Sequence, residues 1–425
     1  VSQTDPDRAE ALDMSELGGL PAEPLGKVLG PGFDGLARST LASTRAPVAA
    51  LTTPYLTIDA SAVADNIAAL QRWCDERGYL LAPHGKTTMA PQLWSRQLAA
   101  GAWGITVATL AQLNVALAFG VRRIQLANPL ATGAGAGRAR AALRTDPHRE
   151  ILSWVDSEAA VAALADPSGP ELPVLLDIGR PGGRTGVRDL DEAGVVAARI
   201  RATPGVRLAG SAAYEGAIGG DPSRAEIGAF AAHVLHVHRE VALPAAGPDA
   251  YLSIAGSDHL GEVTDGLSDL TGADGRVIVR SGVSIAHDDG HYRRAQDGAP
   301  PNAPRFRSAL RLVATVLAVH DGGVALLDTG RRDAGHDQGL PVPLELWRTG
   351  RAAQAALDPA PVAAVNDQHA FVPASTFGAT PEVGDRVVLG ISHPCTTFDK
   401  WRDIVEVDGR LTPDSVAVGL VRTFF

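Results

Sequence analysis

The chain has 425 residues, 45% of them hydrophobic and 20% charged, so it is too long for one small domain and can bury a large core. Its 38 basic against 48 acidic side chains leave a net charge of −10, which argues against nucleic acid or an anionic membrane as a main partner. Cys74 and Cys395 are its two cysteines, so there is no disulfide framework and the composition suits a reducing cytoplasm. No apolar run reaches membrane-spanning length, and the polar start Val1-Ser-Gln-Thr-Asp-Pro does not read as a leader peptide.

Residues 1–50 mix Gly and Pro with polar residues and read as an N-terminal extension, with some helix near Asp7–Leu17. Tyr55–Asp59 is a short strand expected to join a C-terminal domain, and Ser61 is a candidate N-cap for the helix behind it. A rhythm then sets in. Strand-like runs at 79–82, 103–108, 123–127, 151–155, 173–178, 206–213, 251–255 and 276–280 alternate with Ala-rich amphipathic patterns such as Leu110–Phe119, Glu192–Ala202 and Arg224–Val241. This predicts an α/β fold, a (β/α)8 TIM-type barrel over 51–300. A doubly wound sheet would want a Gly-rich phosphate turn after its first strand, and Pro83-His84-Gly85-Lys86 is not one. From 301 to 425 the runs become β-branched and are divided by Gly, as at Asp321-Gly322-Gly323, which predicts a mostly β domain. Ile404–Asp408, Gly409 and Leu411 suggest a further hairpin there.

The first barrel strand delivers Lys86 to its C-terminal end, where a partly desolvated amine becomes a nucleophile toward carbonyls. The bland alternative is a surface lysine just past a strand. The seventh and eighth runs end in Gly256-Ser257-Asp258 and Ser281-Gly282-Val283-Ser284. Both are small-residue turns, at the places where barrels bind phosphate. Lysine and phosphate cup together fit pyridoxal phosphate. Arg184, in a Gly-rich turn after the fifth strand, could pair with an anionic oxygen or simply with Asp189. Tyr214 could pack on a cofactor ring or fill the barrel top. His393 and Cys395, two apart after a strand, can point to one side, and imidazole with thiolate suits Zn2+. A buried Cys beside a hydrogen-bonded His is the competing reading. His287, Asp288 and Asp367-Gln368-His369 are weaker site candidates, and His233 and His236 read as a solvated helix face.

Pro83-His-Gly-Lys-Thr87, Gly183-Arg-Thr-Gly-Val187, Tyr214-Glu-Gly216 and His393-Pro-Cys395 together resemble the fold-type III pyridoxal-phosphate enzymes, in the branch of D-serine dehydratase and D-threonine aldolase. The resemblance runs from about residue 52 to the end. It implies an alanine racemase-like barrel, with Lys86 carrying the cofactor beside His84, Arg184 and Tyr214, and with Gly256, Ser257, Ser281 and Gly282 holding the phosphate. It also implies a divalent metal at His393 and Cys395, Zn2+ before Mn2+, and a homodimer whose sites are completed by the partner's C-terminal domain. The activity implied is a metal-assisted lyase on D-3-hydroxy-α-amino acids, with Lys86, His393 and Cys395 as catalytic residues. Dehydratases of the family resemble this chain in carrying Cys at the second metal position, where the aldolase branch has Asp. Dehydration to a keto acid and ammonia is therefore expected, with aldol cleavage as the runner-up. A non-catalytic pyridoxal-phosphate carrier and a cofactor-free metallohydrolase using His84, His287 and Asp288 are the readings from other classes.

Overall fold

The computed structural model describes residues 12–15 and 45–425, apart from 221, 321–322, 349–352, 357–359 and 379. Most of the expected helix at 7–17 lies outside the described residues.

β1 (Tyr55–Asp59) precedes the helix Ala60–Asp75. The cap of that helix is Asp59, whose carboxylate accepts from the amides of Ser61 and Ala62, so the expected cap at Ser61 is displaced by two residues. A carboxylate at the first turn has both the reach and the charge for this position. Eight parallel strands follow: β2 (Leu80–Leu81), β3 (Ile105–Val107), β4 (Arg123–Pro129), β5 (Glu150–Val155), β6 (Leu172–Ile178), β7 (Val206–Ala213), β8 (Tyr251–Ser253) and β9 (Arg276–Val279). Each falls on one of the eight predicted runs. The sheet runs in chain order from β3 to β9, and β2 pairs with β9 in register Leu80 to Ile278. β2 and β3 are joined past the strand itself, by Trp103 N to Leu81 O at 2.7 Å, Thr106 N to Pro83 O at 3.0 Å and the bridge His84–Thr106. The curled sheet is thereby drawn together beside the turn that carries Lys86. The helices Leu110–Ala118, Leu190–Ala202 and Arg224–Val237 cover its outer face with a common core that includes Ile124, Leu176, Val196 and Val234. Inside the sheet, Trp103, Trp154, Leu175 and Ile278 form a separate cluster.

The C-terminal domain is mostly β, as expected. It contains β10 (Leu310–His320), β11 (Val324–Leu327), β12 (Val342–Trp347), β13 (Gln354–Ala355), β14 (Ala364–Val365), β15 (Ala370–Pro373), β16 (Arg386–Gly390), β17 (Asp403–Val407) and β18 (Gly419–Arg422). β1 lies between β10 and β17 in its main sheet, antiparallel to one and parallel to the other, so the strand before the barrel belongs to this domain. β10 and β11 form the hairpin anticipated around Gly323. The hairpin expected from Ile404 forms across a longer connection: β17 pairs antiparallel with the next strand, β18, instead of turning back at Gly409, and takes β1 on its other side. All five residues of β17 are buried, and pairing on both sides satisfies their backbone groups.

Three contacts lock this domain onto the barrel of its own chain. Phe424 N donates to Met89 O at 2.8 Å, Gln92 Nε2 to Leu420 O at 3.3 Å and Asn66 Nδ2 to Arg307 O at 2.8 Å. They hold the segment after β16 over the ends of the first barrel strands.

Candidate active site

Lys86 sits in the short turn Gly85–Thr87 directly after β2, with Gly85 packed tightly on Trp94 and Ile105. A cavity of about 320 Å³ opens at this end of the sheet. Its lining brings Lys86 together with His84, Arg184, Tyr214, the turns at Ser257 and Gly282, and His393 and Cys395. Residues more than 300 positions apart thus share one pocket, and Lys86, though solvent-exposed, opens into that pocket. Burial, with Arg184 and Arg280 nearby, pulls the Lys86 ammonium below the ordinary lysine value, against an opposing pull from Cys395.

The guanidinium of Arg184 lies over the Tyr214 ring, 5.1 Å from its centroid, rather than serving Asp189, which caps the helix Leu190–Ala202. Ser257 Oγ stands at a convergence of donors. Gly282 N is at 3.2 Å, Val283 N at 3.3 Å and Ser281 Oγ at 3.2 Å. One hydroxyl oxygen is in effect occupying the focus of two amides and a second hydroxyl, the arrangement that receives an anionic oxygen. Gly256 lines the same cavity, but not through its amide. Its amide donates to the Glu215 carboxylate, so it is turned away from this focus. His84 Nδ1 is buried without a partner, and burial pushes the ring well below its ordinary pKa. A neutral ring with an unpartnered nitrogen, an amine opening into the pocket and an anion cradle on one wall fit pyridoxal phosphate: the amine for its aldehyde, the cradle for its phosphate, the Tyr214 and His84 side chains around its ring.

His393 and Cys395 flank the start of the short helix Cys395–Phe398, which lies against the turn bearing Lys86. Cys395 Sγ is 3.3 Å from Thr87 Oγ1 of the same chain. The expectation that the C-terminal domain delivers this motif to a partner's site is therefore corrected: it reaches the lysine of its own chain, because the contacts at Met89, Gln92 and Asn66 fold the domain back onto its own barrel. His393 Nδ1 is bonded to Asp337 Oδ2 at 2.8 Å, which leaves Nε2 as the ring atom for a ligand. Burial pushes the Asp337 carboxyl up, but bonds from Thr396 and His393 outweigh it and hold the carboxyl below its usual value. Among the described residues no three His, Cys, Asp or Glu side chains are grouped to hold a metal. A nitrogen and a sulfur with a carboxylate behind the imidazole still match the donor types of a Zn2+ site, with remaining positions left to water or substrate.

Sequence reasoning missed several wall residues. Arg280 is 3% exposed, donates to Ser253 Oγ at 2.7 Å and lies over the Trp154 ring at 5.1 Å. A charge ending the apolar run Val277–Val279 was its signal. His291 Nε2 pairs with Asp258 Oδ1 at 2.9 Å, and that bond holds the imidazole above its ordinary pKa. Asp337 gave no signal, being 56 positions from its partner in the chain. Conversely, His287, Asp288 and His369 do not line the cavity. His287 Nδ1 turns to the Asp288 carbonyl at 3.1 Å, and His84 lines the cavity without either of them, so among the described residues the grouping of His84, His287 and Asp288 that a metallohydrolase would need is not assembled. His236 is exposed and His233 half-buried, as a helix face would be. The neighbouring His238 is buried between Ser211 Oγ at 2.7 Å and Asp274 O at 2.9 Å.

Comparison with known proteins agrees with this two-part construction. The alanine racemase N-terminal domain matches residues 58–262, and a putative serine dehydratase domain matches 309–407. The chain thus joins a match to an alanine racemase-type N-terminal domain with a match to a serine dehydratase-type domain, and its relatives are fold-type III pyridoxal-phosphate enzymes. It is 27% identical over 387 residues to a D-threonine aldolase of Arthrobacter sp., covering 89% of this chain and 95% of the relative. It is also 27% identical over 360 residues to the D-threo-3-hydroxyaspartate dehydratase of Delftia sp. (strain HT23), covering 82% and 92%. Among solved structures, D-threonine aldolase from Filomicrobium marinum superposes with a TM-score of 0.72 at 22% identity, covering 88% of this chain and 96% of that one. The Delftia dehydratase gives 0.69 at 23%, covering 89% and 99%, and a cysteine-to-alanine mutant of it is described in a metal-free form. Among the described residues no helix is long and apolar enough to cross a membrane.

Proposed function

We propose that this chain is a pyridoxal-phosphate- and metal-dependent lyase acting on small D-3-hydroxy-α-amino acids. The observation that carries the proposal is the single cavity in which Lys86, the cradle at Ser257 and Gly282, and the pair His393 and Cys395 meet. Ser257, Ser281, Gly282 and Val283 would hold the phosphate, and Tyr214 under Arg184 would pack beside the ring. When bound, pyridoxal phosphate supplies an electron sink for charge developing at the substrate Cα. Lys86 Nζ would be the base for the α-proton, and burial with the nearby Arg184 and Arg280 lowers its basicity below the ordinary lysine value. His393 Nε2 and Cys395 Sγ would hold a divalent ion, Zn2+ by donor type, with Asp337 fixing the imidazole. Such an ion would supply a Lewis acid for the 3-hydroxyl. The metal-free form described for a cysteine mutant of the Delftia relative supports a metal at this motif.

Dehydration to a keto acid and ammonia is the favoured reaction, on the thiolate at position 395. Retro-aldol cleavage to glycine and an aldehyde is the second reading, favoured by the 27% identity to a D-threonine aldolase over 89% of this chain. Incubation with D-serine, D-threonine and D-threo-3-hydroxyaspartate, followed by product identification, separates the two. A keto acid plus ammonia is the expected outcome, with a primary isotope effect from α-deuterated substrate if proton removal limits the rate. Glycine as the dominant product overturns the dehydratase assignment, and no product with any of the three removes the lyase. Assembly as a homodimer and a cytoplasmic location belong to the same proposal, supported by the family resemblance and by two cysteines that are both free.

A further inference from the structure

Glu215 is the acid of the family-like run Tyr214-Glu215-Gly216, yet it does not line the cavity. It is 1% exposed, tucked behind Tyr214 beneath the turn after β8. Its Oε1 accepts the amide of Gly256, while Oε2 is buried with no partner at all. A Cβ placed on Gly256 would come within 2.9 Å of Glu215 Oε1 and 3.1 Å of Tyr214 Cε2, so the turn is seated directly on these two side chains. The residue before it, Ala255, has φ +69, a left-handed conformation that a residue with a Cβ adopts only when its surroundings impose it. Two bonds impose it: Arg280 N to Ala255 O at 2.9 Å on one side, and Gly256 N to Glu215 on the other. The next residue is Ser257, whose hydroxyl stands at the focus of the anion cradle.

We propose that Glu215 is a positioning residue for the cofactor's phosphate: by taking the Gly256 amide it fixes the strand-end loop so that the Ser257 hydroxyl, and not the Gly256 N–H, stands beside the amides of Gly282 and Val283 at the anion cradle. This rests on the pyridoxal-phosphate reading above and names a residue that touches neither cofactor nor substrate. An ionised carboxylate so near a phosphate would work against binding. Burial pushes the Glu215 carboxyl up, toward the neutral acid, while the Arg280 guanidinium opposes that shift. The neutral form keeps Oε1 as an acceptor without adding a negative charge to the site.

The test compares pyridoxal 5'-phosphate with pyridoxal, which lacks the phosphate, by visible absorbance titration of wild type, Glu215→Gln and Glu215→Leu. Glu215→Gln retains an acceptor at the same reach, so both affinities are expected to stay within about threefold of wild type. Glu215→Leu leaves the Gly256 amide buried and unpaired. It is expected to lower pyridoxal 5'-phosphate affinity by about tenfold or more while leaving pyridoxal binding within about twofold. If Glu215→Leu does not fold, as judged by circular dichroism, Glu215→Asp withdraws the acceptor by one methylene and carries the same expectation. The assignment is overturned if the phosphate-bearing ligand loses no more than the phosphate-free one. It is overturned equally if Glu215→Gln behaves like Glu215→Leu. Wild-type protein that binds neither ligand would sink the cofactor reading itself, a result distinct from either of these.

Discussion

Replacing Gly282 by alanine should uncouple the phosphate cradle from the lysine turn. Gly282 follows β9 with φ −103 and ψ −32, a backbone conformation open to alanine, so the effect expected is steric and not conformational. A methyl at this position would fall on the carbonyl oxygen of His84 and within 2.8 Å of both His84 Cβ and Thr87 Oγ1. The His84 segment cannot withdraw freely. Its amide donates to Arg280 O at 3.1 Å and its carbonyl accepts from Thr87 N at 3.2 Å, so retreat disturbs the turn that carries Lys86. Overpacking of this kind costs about 1–3 kcal/mol. The softer response is for Gly282 to move outward, taking its amide away from the focus at Ser257. The strain should then appear in cofactor affinity, as a loss of about 5- to 150-fold. Absorbance titration with pyridoxal phosphate measures it, alongside thermal unfolding. Gly133→Ala is the control, since a Cβ there meets nothing within 4 Å and the site opens a helix; it should be neutral or gain about 0.4–1 kcal/mol. If Gly282→Ala binds the cofactor within about twofold of wild type, the cradle is not where the geometry puts it.

Lys86→Ala should abolish the visible absorbance that isolated protein is expected to show, and borohydride should then leave no cofactor on the 79–91 peptide; label on that peptide in the variant would contradict the assignment. His393→Ala should end turnover while sparing the cofactor band, and Asp337→Asn should weaken metal retention on dialysis by about 10–100-fold, checked by elemental analysis; unchanged metal content in both would remove the metal motif. Burial raises the Asp177 carboxyl to about 6, against an ordinary value of 3.8, and its Oδ2 has no partner. A carboxyl whose folded value is raised favours the fold below its unfolded value, and that advantage is lost as pH climbs through the folded one. Asp177→Asn should therefore be more stable than wild type by up to about 3 kcal/mol at pH 8, with the gap closing toward pH 4; equal melting temperatures at pH 8 would refute the burial argument.

The barrel, its eight strands and the lysine at the end of the first were legible in the chain, because parallel strands buried on both faces must be apolar runs. The small-residue turns after the last two strands were legible for the same reason: the barrel rule assigns a chemical meaning to a position in the chain. His393 and Cys395 were legible as a pair through their spacing. Which lysine they meet was not legible, since that depends on how β1, β17 and β18 fold the second domain back. The tertiary structure also decided the partners that lie far off in the chain: Asp337 behind His393, Asp258 on His291, and Glu215 under Gly256. Each of these is a polar side chain whose identity looks ordinary in its own neighbourhood. Its role comes from a hydrogen bond that forms between separate elements, and such a bond has no periodicity, spacing or composition to announce it. The same holds for Gly256, whose small size was read as an amide offered to phosphate. The fold uses that smallness to seat the turn on Tyr214 and Glu215.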